Sequence, residues 1–375
     1  MSKFVKLISN SNDFLNNMES DNGFKLFSRS ENSPYARCFV IFAKFLLKDY
    51  FWLDVRKDRL ISELNIDLHD FYKKRIGSNI DWRYDKAFLQ LFCFTLSSLN
   101  ILNGKLNSEN LSILESFLAL NTHKILETKG VSLGLAGTGN YSMFVAILNI
   151  YANDYLRINR SNELDIWKDF NLSSININGF WGEDDNISYL QFQNGYHQYE
   201  IFEYLNIAEA PWNNAAKNTL TLADADGHFA PYPGGGGCYD YDATFMLTSR
   251  FVDNFGQNEV LHKTLTTILS QQNNDGGFCE SKLLKNEGWP RPISSIKHIL
   301  SQPSHVRLKS LFTFINLNRY KHRVVATHWT KTDRRWHESN VWDTFFRLSA
   351  ISRIYKRLDL PEKELFNIND FPGIG

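Results

Sequence analysis

The chain has 375 residues, enough for a substantial core in one large domain or two ordinary ones. Basic and acidic residues balance at 41 each, so no global field favours nucleic acid or an acidic membrane surface, and a local basic patch is the one polyanion contact left open. No apolar run approaches the roughly 20 residues that cross a bilayer, and the opening MSKFVKLISNSNDF has one short apolar patch followed by polar residues, unlike a secretory leader. Four cysteines, Cys38, Cys93, Cys238 and Cys279, lack C-x-x-C spacing and read as reduced, mostly buried thiols. The expectation is a soluble cytoplasmic protein, with membrane-surface contact open. The 29 phenylalanines and 14% aromatic content suit a thick helical core or a cavity for an apolar or ring-shaped ligand, the core being the simpler reading.

Residues 1–30, polar and rich in Asn and Ser, predict a poorly packed lead-in to a single domain over 31–375. Tyr35–Phe51 is apolar nearly all round, as a helix buried on several sides must be. Leu60–Ile76 is spaced as an amphipathic helix, and Tyr84–Leu102 is again almost wholly apolar. Asn107 or Ser108 caps a helix that runs to about Thr128. The glycine-rich Gly130–Gly139 opens a further helix; with no preceding strand and neither phosphate-loop pattern in register, it reads as an inter-helix turn. Pro211–Leu222, Gln257–Gln272 and Ser304–Asn318 look like outer helices, and inner ones begin near Tyr35, Tyr84, Tyr141, Tyr196, Tyr241 and Trp342. Ile175–Phe180 and Arg323–Thr327 are the only short strand candidates.

Leu222–Phe251 is the segment that organises the rest. An Asp-x-Asp-Gly turn leads through Pro231, Pro233 and the run Gly234–Gly237, which no helix or strand interior tolerates, into a helix opening with Cys238, Tyr239, Asp240 and Asp242. The turn recurs at Gln272–Phe278 and, more loosely, at Gly179–Asp185. A helix rich in aromatic and acidic residues follows each, and aligning the closing leucines places Glu200, Asp242 and Asp343 at one equivalent position.

Gln-x-x-x-Asp-Gly-Gly-Phe at Gln271–Phe278, followed by a helix with Asp-x-Thr, resembles the repeat of protein prenyltransferase β-subunits and of squalene and oxidosqualene cyclases. The resemblance implies an all-α fold, an α/α toroid of about five or six helical hairpins with an isoprenoid in its aromatic-lined centre. Asp240-Tyr-Asp242-Ala-Thr244 looks like the Asp-x-Asp-Asp-Thr motif of class II terpenoid cyclases, with Ala243 in place of the last aspartate. It would make Asp242 the acid and Asp240 its partner, and the cavity wall would hold Tyr196, His197, Glu200, His228, Tyr239, Trp342 and Asp343. The alternative is that Glu200, Asp242 and Asp343 each hydrogen-bond a neighbouring turn.

Cys238-Tyr239 and Tyr196-His197 are similar to zinc-site elements of the prenyltransferases, which would give zinc Cys238, His197 and Asp240, although Gly236 stands where that family has its aspartate. The residues call for no cofactor of themselves; the resemblance leaves zinc or magnesium open, and a partner subunit with it. A third cluster, Thr327–Asn340, concentrates His328, Lys331, Arg334, Arg335, His337 and Glu338. Arg334 and Arg335 could clamp a diphosphate or carboxylate; His337 and Glu338 could do acid–base work on a glycan, since α/α toroids also carry polysaccharide lyases and glycoside hydrolases. The expectation is therefore a cyclase- or prenyltransferase-like enzyme on an apolar substrate, with a carbohydrate-active enzyme and a non-catalytic toroid that binds a lipid or protein as rivals.

Overall fold

The computed structural model describes residues 3–182, 187–282, 299–300, 302, 304–319, 335–369 and 371–373. It is mostly helical; strand among the described residues is negligible, a hairpin of β1 (Glu19–Ser20) and β2 (Gly23–Phe24). The α-helices run α1 (Lys3–Asn16), α2 (Pro34–Leu46), α3 (Tyr50–Gly77), α4 (Lys86–Ile101), α5 (Ser108–Leu118), α6 (Thr122–Thr128), α7 (Thr138–Asp154), α8 (Ser161–Ser173), α9 (Tyr189–Tyr204), α10 (Trp212–Leu220), α11 (Gly237–Thr248), α12 (Asn258–Ser270), α13 (Ser304–Arg319) and α14 (Val341–Arg357). No described helix is long and apolar enough to cross a membrane. The chain divides into two compact units, Met1–Tyr50 with Ala216–Ile368, and Phe51–Ala215 with Asn369–Gly375.

In the first unit α14 is the central element, packed against α2, α11 and α12. Its buried run Val341–Ser352 meets α2 through Phe39, whose ring lies 4.7 Å from Trp342 and 5.8 Å from Phe345. In the second unit α7 is central, packed against α4, α8 and α9. Helices α2 and α4, apolar nearly all round in sequence, are buried on nearly every side as expected, and so are the inner candidates α7 and α14.

The first thirty residues are not a loose lead-in. Helix α1 buries Phe14 and Leu15, and its polar residues are bonded inward. The fully buried Lys44 ammonium donates to Asn12 Oδ1 (3.1 Å), Asn16 Oδ1 (2.7 Å) and Asp49 Oδ2 (2.8 Å), so a cation removed from water finds three acceptors.

Three boundaries also differ. Helix α2 stops at Leu46, where Lys48 takes a left-handed φ of 57°, and α3 runs unbroken from Tyr50. Asn107 caps α5 as expected, its side chain accepting from Asn110 N, but a second cap, Asn121 accepting from Lys124 N, starts α6 separately. Ile175–Phe180 forms a turn instead of a strand; Arg323–Thr327 lies outside the described residues.

One turn is built three times. Asn176, Asp224 and Asn273 each donate their N–H to the carbonyl four residues on, at 2.7 Å (Phe180), 2.8 Å (His228) and 2.9 Å (Gly277), and accept from the glycine three residues on. Those glycines, Gly179, Gly227 and Gly276, hold φ of 85°, 80° and 89°, which a side chain resists. The residue two places after each glycine, Trp181, Phe229 or Phe278, is buried. A methyl on each glycine would also strike backbone: Ala215 N of α10 at 2.8 Å, Thr264 N of α12 at 2.8 Å and Asn10 O of α1 at 2.0 Å. Ser11 Oγ donates to Gly276 O as Thr264 Oγ1 donates to Gly227 O. Helix α1 thus serves the third turn as α12 serves the second, which is why it is packed. The looser copy expected at Gly179–Asp185 begins earlier, at Asn176.

Candidate functional site

The Gly234–Gly237 run brings the second turn against the start of α11 in the first unit. Gly235, at φ 72°, leaves room for Asp240: a methyl there would lie 2.2 Å from Asp240 Oδ2 and 2.4 Å from His228 Nδ1. Asp240 is fully buried, and both its oxygens accept. Phe229 N donates to Oδ1 at 2.9 Å; His228 Nδ1, at 2.7 Å, and Arg347 Nη1 of α14 share Oδ2. Gln271 Nε2 stands 3.0 Å from His228 Nε2 and also donates to Gly234 O. The imidazole therefore carries its proton on Nδ1, toward Asp240, and accepts on Nε2. Arg347 Nη2 donates to Glu280 O (2.9 Å) and Gly234 O (3.3 Å). Burial opposes its charge, but the carboxylates of Asp240 and Asp343 outweigh that and hold the guanidinium above its usual value. Asp240 and His228 thus anchor the mouth of α11: they tie two turns and two helices together.

A different group gathers around Cys238. Asp242, one helical turn after Cys238, is buried, as are Glu280 and Asp343. Glycine makes this convergence feasible, because a methyl on Gly236 would lie 2.8 Å from Glu280 Oε1 and one on Gly237 2.5 Å from Asp343 Oδ1. Burial, then Asp242, Glu280 and Asp343 in turn, push the Cys238 thiol well above its ordinary value. Tyr232 donates its hydroxyl to Glu280 Oε1, its ring lies 6.0 Å from Tyr239 and 5.7 Å from Trp336, and burial followed by Cys238, Glu280 and Asp242 raises Tyr239. The result is a packed cluster of carboxylates and aromatic rings at the N-terminal end of α11, where the helix dipole favours negative charge.

Asp343 has a second task. It is the third residue of α14 and forms a reciprocal cap with Asn340: Asp343 N donates to Asn340 Oδ1 at 2.8 Å and Asn340 Nδ2 donates to Asp343 Oδ2. Counted from the helix start Asp242 is the sixth residue of α11 and Glu200 the twelfth of α9, while each of the three carboxylates stands five residues before the leucine that aligns them. Trp342 is a core residue, its ring 4.6 Å from Phe346.

Tyr196, His197 and Glu200 belong to the second unit, on α9. His197 Nε2 faces Asn140 Nδ2 at 2.8 Å, so the ring accepts there and its proton sits on Nδ1, which has no hydrogen-bond partner among the described residues. Burial, then the Lys86 cation, lower His197 to about 3, and it is neutral. Tyr196 is buried with its ring 5.1 Å from that imidazole, and Glu200 Oε1 accepts from Gly373 N at 3.2 Å. Close by, Gly139 at the start of α7 lies so near Asn194 of α9 that a methyl would stand 1.9 Å from Asn194 O, while Gly137 N donates to Asn194 Oδ1; the glycine-rich loop is a packed turn.

Arg335, His337 and Glu338 line a polar depression of about 520 Å³ together with Asn273, Asp275, Lys282 and Ser339. Glu338 is held by Arg29, whose Nη2 and Nε reach its two oxygens at 2.6 and 3.0 Å, a bidentate pair that leaves it badly placed for proton transfer. Arg334, His328 and Lys331 lie outside the described residues. Among the described residues no three His, Cys, Asp or Glu side chains gather as metal ligands. Of the residues named for zinc, Asp240 is bonded to His228, Phe229 and Arg347, His197 pairs with Asn140 within the second unit, and burial with nearby carboxylates pushes the Cys238 thiol up.

Arg347, Glu280, Tyr232 and Trp336 went unsuspected in the sequence. Arg347, the partner of Asp240, lies 107 residues further along the chain, and only the Gln271 that opens the repeat motif carried a local signal. A comparison with protein-family models finds no match, and a comparison with curated proteins finds none.

Proposed function

We propose that the chain is an enzyme of the terpenoid cyclase and prenyltransferase kind, an α/α toroid that takes an isoprenoid or similarly apolar substrate, with Asp242 as its acid. The alternation of buried helices with half-exposed ones, and the thrice-built turn, support a ring of hairpins. The observation that carries the chemistry is the buried convergence of Asp242, Glu280 and Asp343 around Cys238, beside Tyr232, Tyr239 and Trp336. A buried carboxyl beside aromatic faces is the kind of group that would protonate an alkene. The faces of those rings would in turn favour a carbocation. In this reading Asp240 acts through position alone, by fixing the start of α11.

Incubation of the full chain with polyprenyl alcohols, polyprenyl diphosphates and squalene, with products separated by gas chromatography and mass spectrometry, tests the reading. Cyclised or prenyl-transferred product supports it, and inertness toward all three classes removes it. The polar depression favours the carbohydrate reading as the second: His337 is its remaining proton-transfer group, since Arg29 holds Glu338. Depolymerisation of a uronate-containing glycan that is lost in His337→Ala would put that reading first.

A further inference from the structure

We infer that α13 (Ser304–Arg319) docks the protein on an anionic lipid surface. Val306 and Ser310, one turn apart on α13, are buried. Leu308, Leu311, Phe312 and Ile315 fall on the opposite face at helical spacing, and all four are exposed, Leu308 to 68% and Phe312 to 63%. An exposed apolar stripe of this kind marks an interaction site.

Charge identifies the partner. Helix α13 contains no acidic residue, and the exposed Arg307 and Lys309 flank the stripe on its two sides, placed to keep their charges at the headgroups while the stripe enters the acyl boundary. The chain as a whole is balanced, yet residues 282–335 hold twelve Lys and Arg against two acidic residues, Glu287 and Asp333. The sequence around the apolar helix therefore carries a net positive charge although the chain as a whole does not. A nucleic acid would answer the charge but has no use for four exposed aliphatic and aromatic side chains; an anionic bilayer answers both.

The test is sedimentation of the full chain with vesicles of phosphatidylcholine alone and of phosphatidylcholine mixed with phosphatidylglycerol. The protein pellets with the second and not the first, and high salt releases it. Leu308→Glu with Phe312→Glu, both at exposed positions, abolishes pelleting, and circular dichroism checks that the helices persist. Arg307→Gln with Lys309→Gln leaves the stripe intact and lowers the partition coefficient about 30-fold at low salt. Failure to pellet with either vesicle, or equal pelleting of the wild type and both variants, overturns the inference. So does retardation of a duplex oligonucleotide without vesicle binding, which would give the basic stretch to nucleic acid.

Discussion

Replacing Arg347 by Met would remove the cation from the fully buried carboxylate of Asp240. Arg347 donates to Asp240 Oδ2, Glu280 O and Gly234 O, and neither Arg347 nor Asp240 is exposed, so water cannot substitute for what is lost. Methionine fills much of the volume but leaves Asp240 with His228 and Phe229 N alone. Removing one partner of a buried pair costs about 3–5 kcal/mol, because the remaining charge stays buried. Urea unfolding of the wild type and Arg347→Met, followed by circular dichroism, measures the loss. Asp240→Asn added to Arg347→Met should recover part of it, since the second change removes the stranded charge. A loss below about 1 kcal/mol, or strict additivity of the two changes, would refute the view of Asp240 as an anchor that depends on Arg347.

Three further outcomes are expected. Gly276→Ala forces a left-handed φ of 89° on a residue with a side chain and drives a methyl into Asn10 O, so α1 should lose its hydrogen-exchange protection, whereas Gly256→Ala, also at positive φ but with nothing within 4 Å, should cost only about 1–2 kcal/mol and leave α1 protected. His197 at about 3 is neutral when folded and protonates more readily when unfolded, so the stability it contributes is complete above about pH 6.5 and drains away as pH falls toward 3, by up to about 1.4 kcal/mol per pH unit. His197→Asn should flatten that acid limb in urea titrations at pH 7, 5.5 and 4.5; an unchanged limb would contradict the assignment. Cys238 should resist iodoacetamide at pH 8 in the native protein and react faster in Asp242→Asn, because Asp242 is the first of the carboxylates that oppose its ionisation; equal rates would remove Asp242 from its neighbourhood.

What the sequence revealed follows from where the forces are local. Helices α4 and α7 are apolar on every side because every side is buried, and periodicity reports that directly. The cap at Asn107 was legible for the same reason, since its bond spans three residues. The pattern Asn340-x-x-Asp343 carried an equally local capping signal, yet its acidic residue invited a catalytic reading. Helix α1 was misjudged because Asn and Ser usually signal solvent; here Asn12 and Asn16 bind a buried ammonium, and Ser11 binds a turn far along the chain. Contacts of that kind leave no periodic trace. The same holds for the cluster around Cys238: Cys238 and Asp242 are neighbours on one helix and visible together, whereas Glu280 joins them through the close approach that Gly236 allows.

The most direct measurement is turnover of a polyprenyl substrate by Asp242→Asn beside the wild type. Asparagine keeps the size and the hydrogen-bonding oxygen but has no proton to give, so the rate should fall by about 10²–10⁴-fold while circular dichroism and substrate binding stay the same. Activity retained within a few-fold would contradict the assignment of Asp242 as the acid.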